Sequence, residues 1–148
     1  MPRSVRVTVF ASSTPQTAAA YQAASAKFGR LLAKEGHVLV FGGGNAGCMG
    51  SVYEAAKAAG GRVQGITHRM FVKKGGSSLS EENAAELESL EIVEGSDLTM
   101  RKRRLLDAGD CLVALPGGVR RPALGHALPP PLAVAWPVPS VRNCRLVC

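Results

Sequence analysis

Five glycines, at positions 42, 43, 44, 47 and 50, fall within nine residues between the apolar run Val38-Leu39-Val40-Phe41 and an Ala-rich segment over residues 51–59. Strand, glycine loop, helix is how an α/β sheet builds a phosphate site. Glycine lets a ligand approach the main chain, and the helix that follows offers unpaired N–H groups and the positive end of its dipole. A plain tight turn needs only one or two glycines, which favours the anion-binding reading here.

Arg101-Lys102-Arg103-Arg104 is the second candidate. If Leu98, Leu105 and Leu106 form the buried stripe of a helix, a step of about 100° per residue puts Lys102 within it and Arg101 at its edge. Arg103 and Arg104 then point to solvent. Cations beside an apolar face need anionic partners, which a phosphorylated ligand would supply. Ser12 and Ser13 either donate to that phosphate or cap the first helix. His37, His68 and His126 do not cluster at catalytic or metal spacing.

Two other nucleotide motifs are excluded. Gly42-x-Gly44-x-x-Gly47 fits a dinucleotide fingerprint, but a complete βα unit precedes it. The ribose-binding acid expected about 20 residues on is replaced by Ile66-Thr67-His68. No Gly-Lys-Ser/Thr closes the loop, so it is not a P-loop.

The positioning elements follow from periodicity. Residues 5–10 alternate as a first strand. Thr14 caps a helix with Pro15 at its first position, running to about residue 35. Residues 37–41 form a second strand and 62–66 a third. Residues 73–78 read as a mobile loop, 81–88 as a short polar helix and 90–93 as a strand. Asp97 caps a helix over 98–108, and 111–115 is a buried strand that leaves through Pro116-Gly117-Gly118. This alternation predicts a Rossmann-like, doubly wound parallel α/β sheet whose ligand crevice lies beyond the carboxyl ends of the strands.

With 148 residues, 46% of them hydrophobic and 20% charged, the chain has the length and composition of a soluble globular protein. No apolar run reaches the ~20 residues that span a bilayer, and Met1-Pro2-Arg3-Ser4 leads straight into a strand without the pattern of a signal peptide. Cys48, Cys111, Cys144 and Cys148 form no CxxC pair, as expected of reduced thiols in a cytoplasmic protein. The net charge of +7 is uneven: from Cys111 onward there are four arginines and no acid. Nucleic-acid binding through residues 101–104 is the weaker reading, because aromatic residues make up only 5% of the chain.

Val9-Phe10-Ala11-Ser12-Ser13, the run from Phe41 to Gly50, Arg101-Lys102 and Leu115-Pro116-Gly117-Gly118 together resemble the LOG (Lonely Guy) family in order and spacing. The resemblance covers residues 5–119. It implies a homodimeric phosphoribohydrolase that releases free cytokinin base and ribose 5-phosphate from an N6-modified adenosine 5′-monophosphate. It implies no metal or redox cofactor. By the same resemblance Arg101 is the catalytic arginine. Ser12, Ser13, Gly43, Gly44, Gly47, Met49, Gly50, Lys102, Gly117 and Gly118 hold the substrate and its phosphate.

The match stops after Val119. The family's PGGxGTxxE continues with Gly, Thr and a catalytic Glu, where this chain has Arg120, Arg121 and, in the position of the Glu, Leu124. Thr67-His68 also stands where Ile-Pro is usual, and Cys48 where Leu is usual. Residues 120–148 hold six of the nine prolines and show no useful period, so they read as an irregular Pro/Arg-rich tail. The expected organisation is a nucleotide-binding domain over 1–119 with an altered C-terminal part. A change of coding frame or splicing just after Val119 would account for it. Besides the impaired hydrolase, a nucleotide-binding protein without catalysis fits these features.

Overall fold

The computed structural model describes residues 3–73, 78–115 and 134–137. Its elements are β1 (Arg6–Phe10), α1 (Ala19–Lys34), β2 (Val38–Phe41), α2 (Gly47–Ala58), β3 (Arg62–His68), α3 (Arg69–Lys73), a 3-10 turn (Glu81–Glu86), β4 (Ser89–Val93), α4 (Thr99–Ala108), β5 (Cys111–Ala114) and β6 (Val134–Pro137). One sheet runs in the order β4-β3-β2-β1-β5-β6. The first five strands are parallel, with Val7 facing Leu39 on one side and Cys111 on the other. The expected parallel α/β fold is therefore present, and the strand order reverses at β1.

Both faces of the sheet are covered. Val7, Val9, Leu39, Phe41, Val63 and Val113 join Leu32 of α1 and Val52, Tyr53 and Ala56 of α2 in one core. On the opposite face Val40, Ile66 and Val93 pack with Leu105 of α4, with Phe10 and Ala108 at the margin. Period-two alternation explains the division: odd positions of β1 and β2 face α1 and α2, even positions face α4.

Four boundaries differ from expectation. α1 starts at Ala19, because residues 14–17 close a turn of their own. Thr17 donates its N–H to the carbonyl of Thr14 at 3.2 Å, and Ser12 Oγ accepts the N–H of Thr14 at 3.2 Å. α2 starts early, at Gly47, with Ser51 Oγ donating back to the Gly47 carbonyl at 3.0 Å. β3 runs on through Thr67 and His68, both buried, because β4 pairs along it to the end, Thr67 with Ile92 and His68 with Val93. The expected polar helix at 81–88 is a 3-10 turn at Glu81–Glu86. Arg69 ties it to the sheet by pairing with Glu81 and with Glu94, the latter at 2.9 Å.

The buried line of α4 is also rotated from the expected one. Leu105 is buried and Leu98, Arg101 and Ala108 are half-buried, whereas Lys102 is exposed and Leu106 is 41% exposed. The spacing 98, 101, 105, 108 is itself a helical face. It wins because Thr8 of β1 donates its hydroxyl to the Leu105 carbonyl at 2.8 Å, fixing which side meets the sheet. Arg103 and Arg104 point outward as expected, and Arg104 pairs with Glu91 at 3.4 Å.

Within the tail read as irregular, Val134–Pro137 forms β6, antiparallel to β5. Its partner, and not its own sequence period, makes it a strand. The expected loop at 73–78 falls mostly outside the described residues.

Candidate functional site

The carboxyl ends of β1, β2 and β3 bring together the β1–α1 turn, the glycine loop and Arg101. Arg101 enters from the first turn of α4 and lies under the loop. Its Nη2 donates to the carbonyl of Gly42 at 2.8 Å and its Nε to that of Ile66 at 3.2 Å, bridging the ends of β2 and β3. Its guanidinium carbon stands 5.2 Å from the centroid of the Phe71 ring, a cation–π contact. Burial lowers its pKa from the ordinary guanidinium value, but an arginine remains charged. Among the described residues no carboxylate pairs with it. A half-buried cation answered only by carbonyls and a ring has capacity left for an anion.

Gly42 is required by this arrangement, since a Cβ there would fall 2.1 Å from Arg101 Nη2. Gly47 is required by the neighbouring turn. Its φ is +63°, and a Cβ would meet the carbonyl oxygens of Ser12 and Thr14 at 2.6 Å each.

Much of the loop's own main chain is engaged. Gly43 accepts the N–H of Leu79 at 2.8 Å, and Gly44 forms an antiparallel bridge with Ser78. Gly44 also directs its N–H at Met49 Sδ, 3.2 Å away, while Met49 donates its N–H to Ser12 O at 2.9 Å. Ser78 Oγ and Thr67 Oγ1 are 2.7 Å apart. The glycine cluster thus lets a loop fold tightly between the β1–α1 turn, Arg101 and the 78–79 strap, leading into α2 at Gly47.

The structure sorts the sequence candidates. Ser12 is buried, its Oγ 2.9 Å from Thr17 Oγ1, and serves the turn. Ser13 is exposed beside Gly44. Lys102 stands on the outer side of α4, away from Arg101's contacts. Gly117, Gly118 and Leu124 lie outside the described residues. A cleft of about 370 Å³ opens against the N-terminal turn of α2, lined by Pro15, Gln22, Asn45, Ala46, Gly47, Gly50, Ser51 and Glu54. Glu54 lines this cleft and Arg101 is not among its lining residues.

Sequence reasoning missed Phe71, the 78–79 strap and Thr67. All three belong to the stretch without a clear period, where only contact with the loop gives them a role. His37 Nδ1 accepts the N–H of Val5 at 3.5 Å, a turn contact. Among the described residues no helix is long and apolar enough to cross a membrane.

This combination has known counterparts. The SLOG cluster4 family matches residues 4–119. A probable cytokinin riboside 5′-monophosphate phosphoribohydrolase of Oryza sativa subsp. japonica is 34% identical over 113 residues, covering 76% of this chain and 43% of the relative. A cytokinin riboside 5′-monophosphate phosphoribohydrolase of Rhodococcoides fascians is 33% identical over 118 residues, covering 80% and 56%. The chain thus spans about half the length of these curated relatives. The solved molybdenum cofactor carrier protein of Chlamydomonas reinhardtii shares the fold, with a TM-score of 0.59 at 22% identity, over 78% of this chain and 64% of that one. The family match takes in the first strand, the glycine loop and Arg101 and stops where the PGGxGTxxE pattern breaks: the chain belongs to the SLOG cluster4 family.

Proposed function

We propose that this chain binds a nucleoside 5′-monophosphate of the AMP type at the carboxyl edge of β1–β3, and descends from hydrolases that cleave its N-glycosidic bond. The observation that carries the reading is Arg101, half-buried at the strand ends and paired with no described carboxylate. The relatives' names supply the reaction class. In it, water adds to C1′ of the ribose while the C1′–N bond breaks; the base leaves with a proton, and ribose 5-phosphate remains. Following the family resemblance, the chain works as a cytoplasmic homodimer.

Cleavage builds positive charge on the ribose, and a carboxylate normally stabilises it or activates the water. From Cys111 to Cys148 there is no Asp or Glu, and Leu124 occupies the position of the family's Glu. Glu54 lines a cleft whose lining does not include Arg101. A positioned acid or base contributes about 10²–10⁴-fold, so turnover by this chain is correspondingly slow. The same observation favours a second reading, nucleotide binding without catalysis.

Calorimetry with AMP and a base-release assay on N6-isopentenyl-AMP test both. The expected result is AMP binding with at most trace release. Restoring Gly-Thr-x-x-Glu together with the family's following helix should recover activity, whereas Leu124→Glu alone should not. Robust turnover by the unmodified 148-residue chain would overturn the impaired-hydrolase reading, and absence of AMP binding would overturn both.

A further inference from the structure

His68 is the last residue of β3, on the face that carries α4, and is 1% exposed. Its Nδ1 accepts the N–H of Met70 at 3.2 Å. A neutral imidazole that accepts at one nitrogen donates from the other, so this contact assigns the proton to Nε2. That Nε2–H is buried and has no hydrogen-bond partner among the described residues. Buried polar atoms in folded proteins are nearly always paired, so each exception asks for an explanation, a bound water, ion or ligand among them.

The neighbourhood says what kind of partner. The His68 ring meets Phe71 edge-on, with centroids 6.5 Å apart and planes at 77°. The same Phe71 ring carries the Arg101 guanidinium at 5.2 Å. Arg101 spends Nε on Ile66, two residues before His68, and Nη2 on Gly42. Guanidinium and imidazole are therefore gathered around one aromatic ring at the strand ends. Both bring donors, and Asp97, the acid at the start of α4, already gives its Oδ1 to the N–H of Thr99 at 2.8 Å. The cluster is rich in donors and short of acceptors, which suits an anionic oxygen.

We propose that His68 is a ligand-binding residue: its Nε2–H donates to a phosphate oxygen of the nucleotide held by Arg101. This rests on the nucleotide reading above. His68 also stands where the family resemblance expects a proline, which has no such donor.

Two measurements on the full chain test it. In calorimetry, His68→Leu should weaken AMP binding about tenfold or more, the range for a hydrogen bond to a charged group, while His68→Gln, which keeps a donor near the Nε2 position, should retain most of the affinity. Adenosine, lacking the phosphate, should bind all three proteins alike. Equal losses from both substitutions, or a matching loss for adenosine, would overturn the proposal.

The second measurement needs no variant. In the nitrogen-15 spectrum of the wild-type imidazoles, the His68 Nε2–H resonance should shift on titration with AMP and with inorganic phosphate. AMP that binds without moving it makes His68 a purely structural residue and sinks the idea. If AMP fails to bind but phosphate moves the resonance, the nucleotide reading falls and the His68 contact stands. If neither ligand binds, both fall.

Discussion

The two faces of the sheet are built on different terms. The α1/α2 face is a continuous apolar core in which Phe41 stacks on Tyr53 with centroids 4.9 Å apart and planes at 12°. Among the described residues the buried Tyr53 hydroxyl on this face has no hydrogen-bond partner, and burial raises its pKa against the opposing pull of Lys57. The α4 face has a small apolar core and surrounds it with polar groups in contact with the sheet: Thr8 bonded to the Leu105 carbonyl, His68, and Arg101 at the strand ends. Each of those groups displaces apolar area that would otherwise contribute about 25 cal/mol per Å². One face holds the fold together and the other gives up cohesion to hold a cation in place. The stability of this domain and its ligand chemistry should therefore separate by face.

The largest expected effect is on the cohesive face. Phe41 is fully buried, and Phe41→Ala should cost about 3–5 kcal/mol in urea or guanidinium unfolding. A loss below about 1 kcal/mol would mean that the apolar face is not where stability resides, and the contrast would collapse.

The next effect belongs to the other face. Arg101→Ala should weaken AMP binding by about 1.5–3 kcal/mol, measured by calorimetry. Arg104→Ala, which removes only an exposed pair with Glu91, should leave AMP binding nearly unchanged. Equal losses from both would replace a localised site by a diffuse basic patch.

The smallest effect sharpens the comparison at the start of α4. The Asp97 carboxylate accepts the N–H of Thr99, and that contact, chiefly, holds its pKa below the ordinary 3.8. A carboxyl depressed in the folded state stabilises above its unfolded pKa, and the contribution disappears as pH falls through the lower, folded value. Asp97→Asn should therefore reduce stability slightly at neutral pH and flatten the acid limb of the stability curve below about pH 4. A difference between the two proteins that grows on acidification would contradict this assignment.

The legible parts of the sequence were those where one local signal sufficed. β1 is an alternating segment and β2 and β5 are apolar runs, and all three appear within a residue or two of expectation. The start of α1 was not legible. Pro15 after Thr14 is a good opening for a helix, yet the bonds among Ser12, Thr14 and Thr17 outcompete it locally. The buried side of α4 was ambiguous for a geometric reason. Leu98, Leu105 and Leu106 admit more than one stripe, and only Thr8, about a hundred residues away in sequence, decides between them. Arg101 could be found because motif and period agree on it. Phe71, Ser78 and the free nitrogen of His68 could not, because their roles exist only once β3 and the glycine loop are side by side.

The antiparallel β6 has a consequence for the edge of the sheet. A parallel sheet ending at β5 would present a bare ladder of N–H and C=O groups, a template on which another molecule's strand can zip. β6 takes up that ladder from within the same chain, pairing Cys111 with Pro137 and Ala114 with Val134. Among the described residues β6 spans Val134–Pro137, and its last residue, a proline, has no N–H for a ladder. A segment that breaks the family pattern thus covers the β5 edge over these four residues.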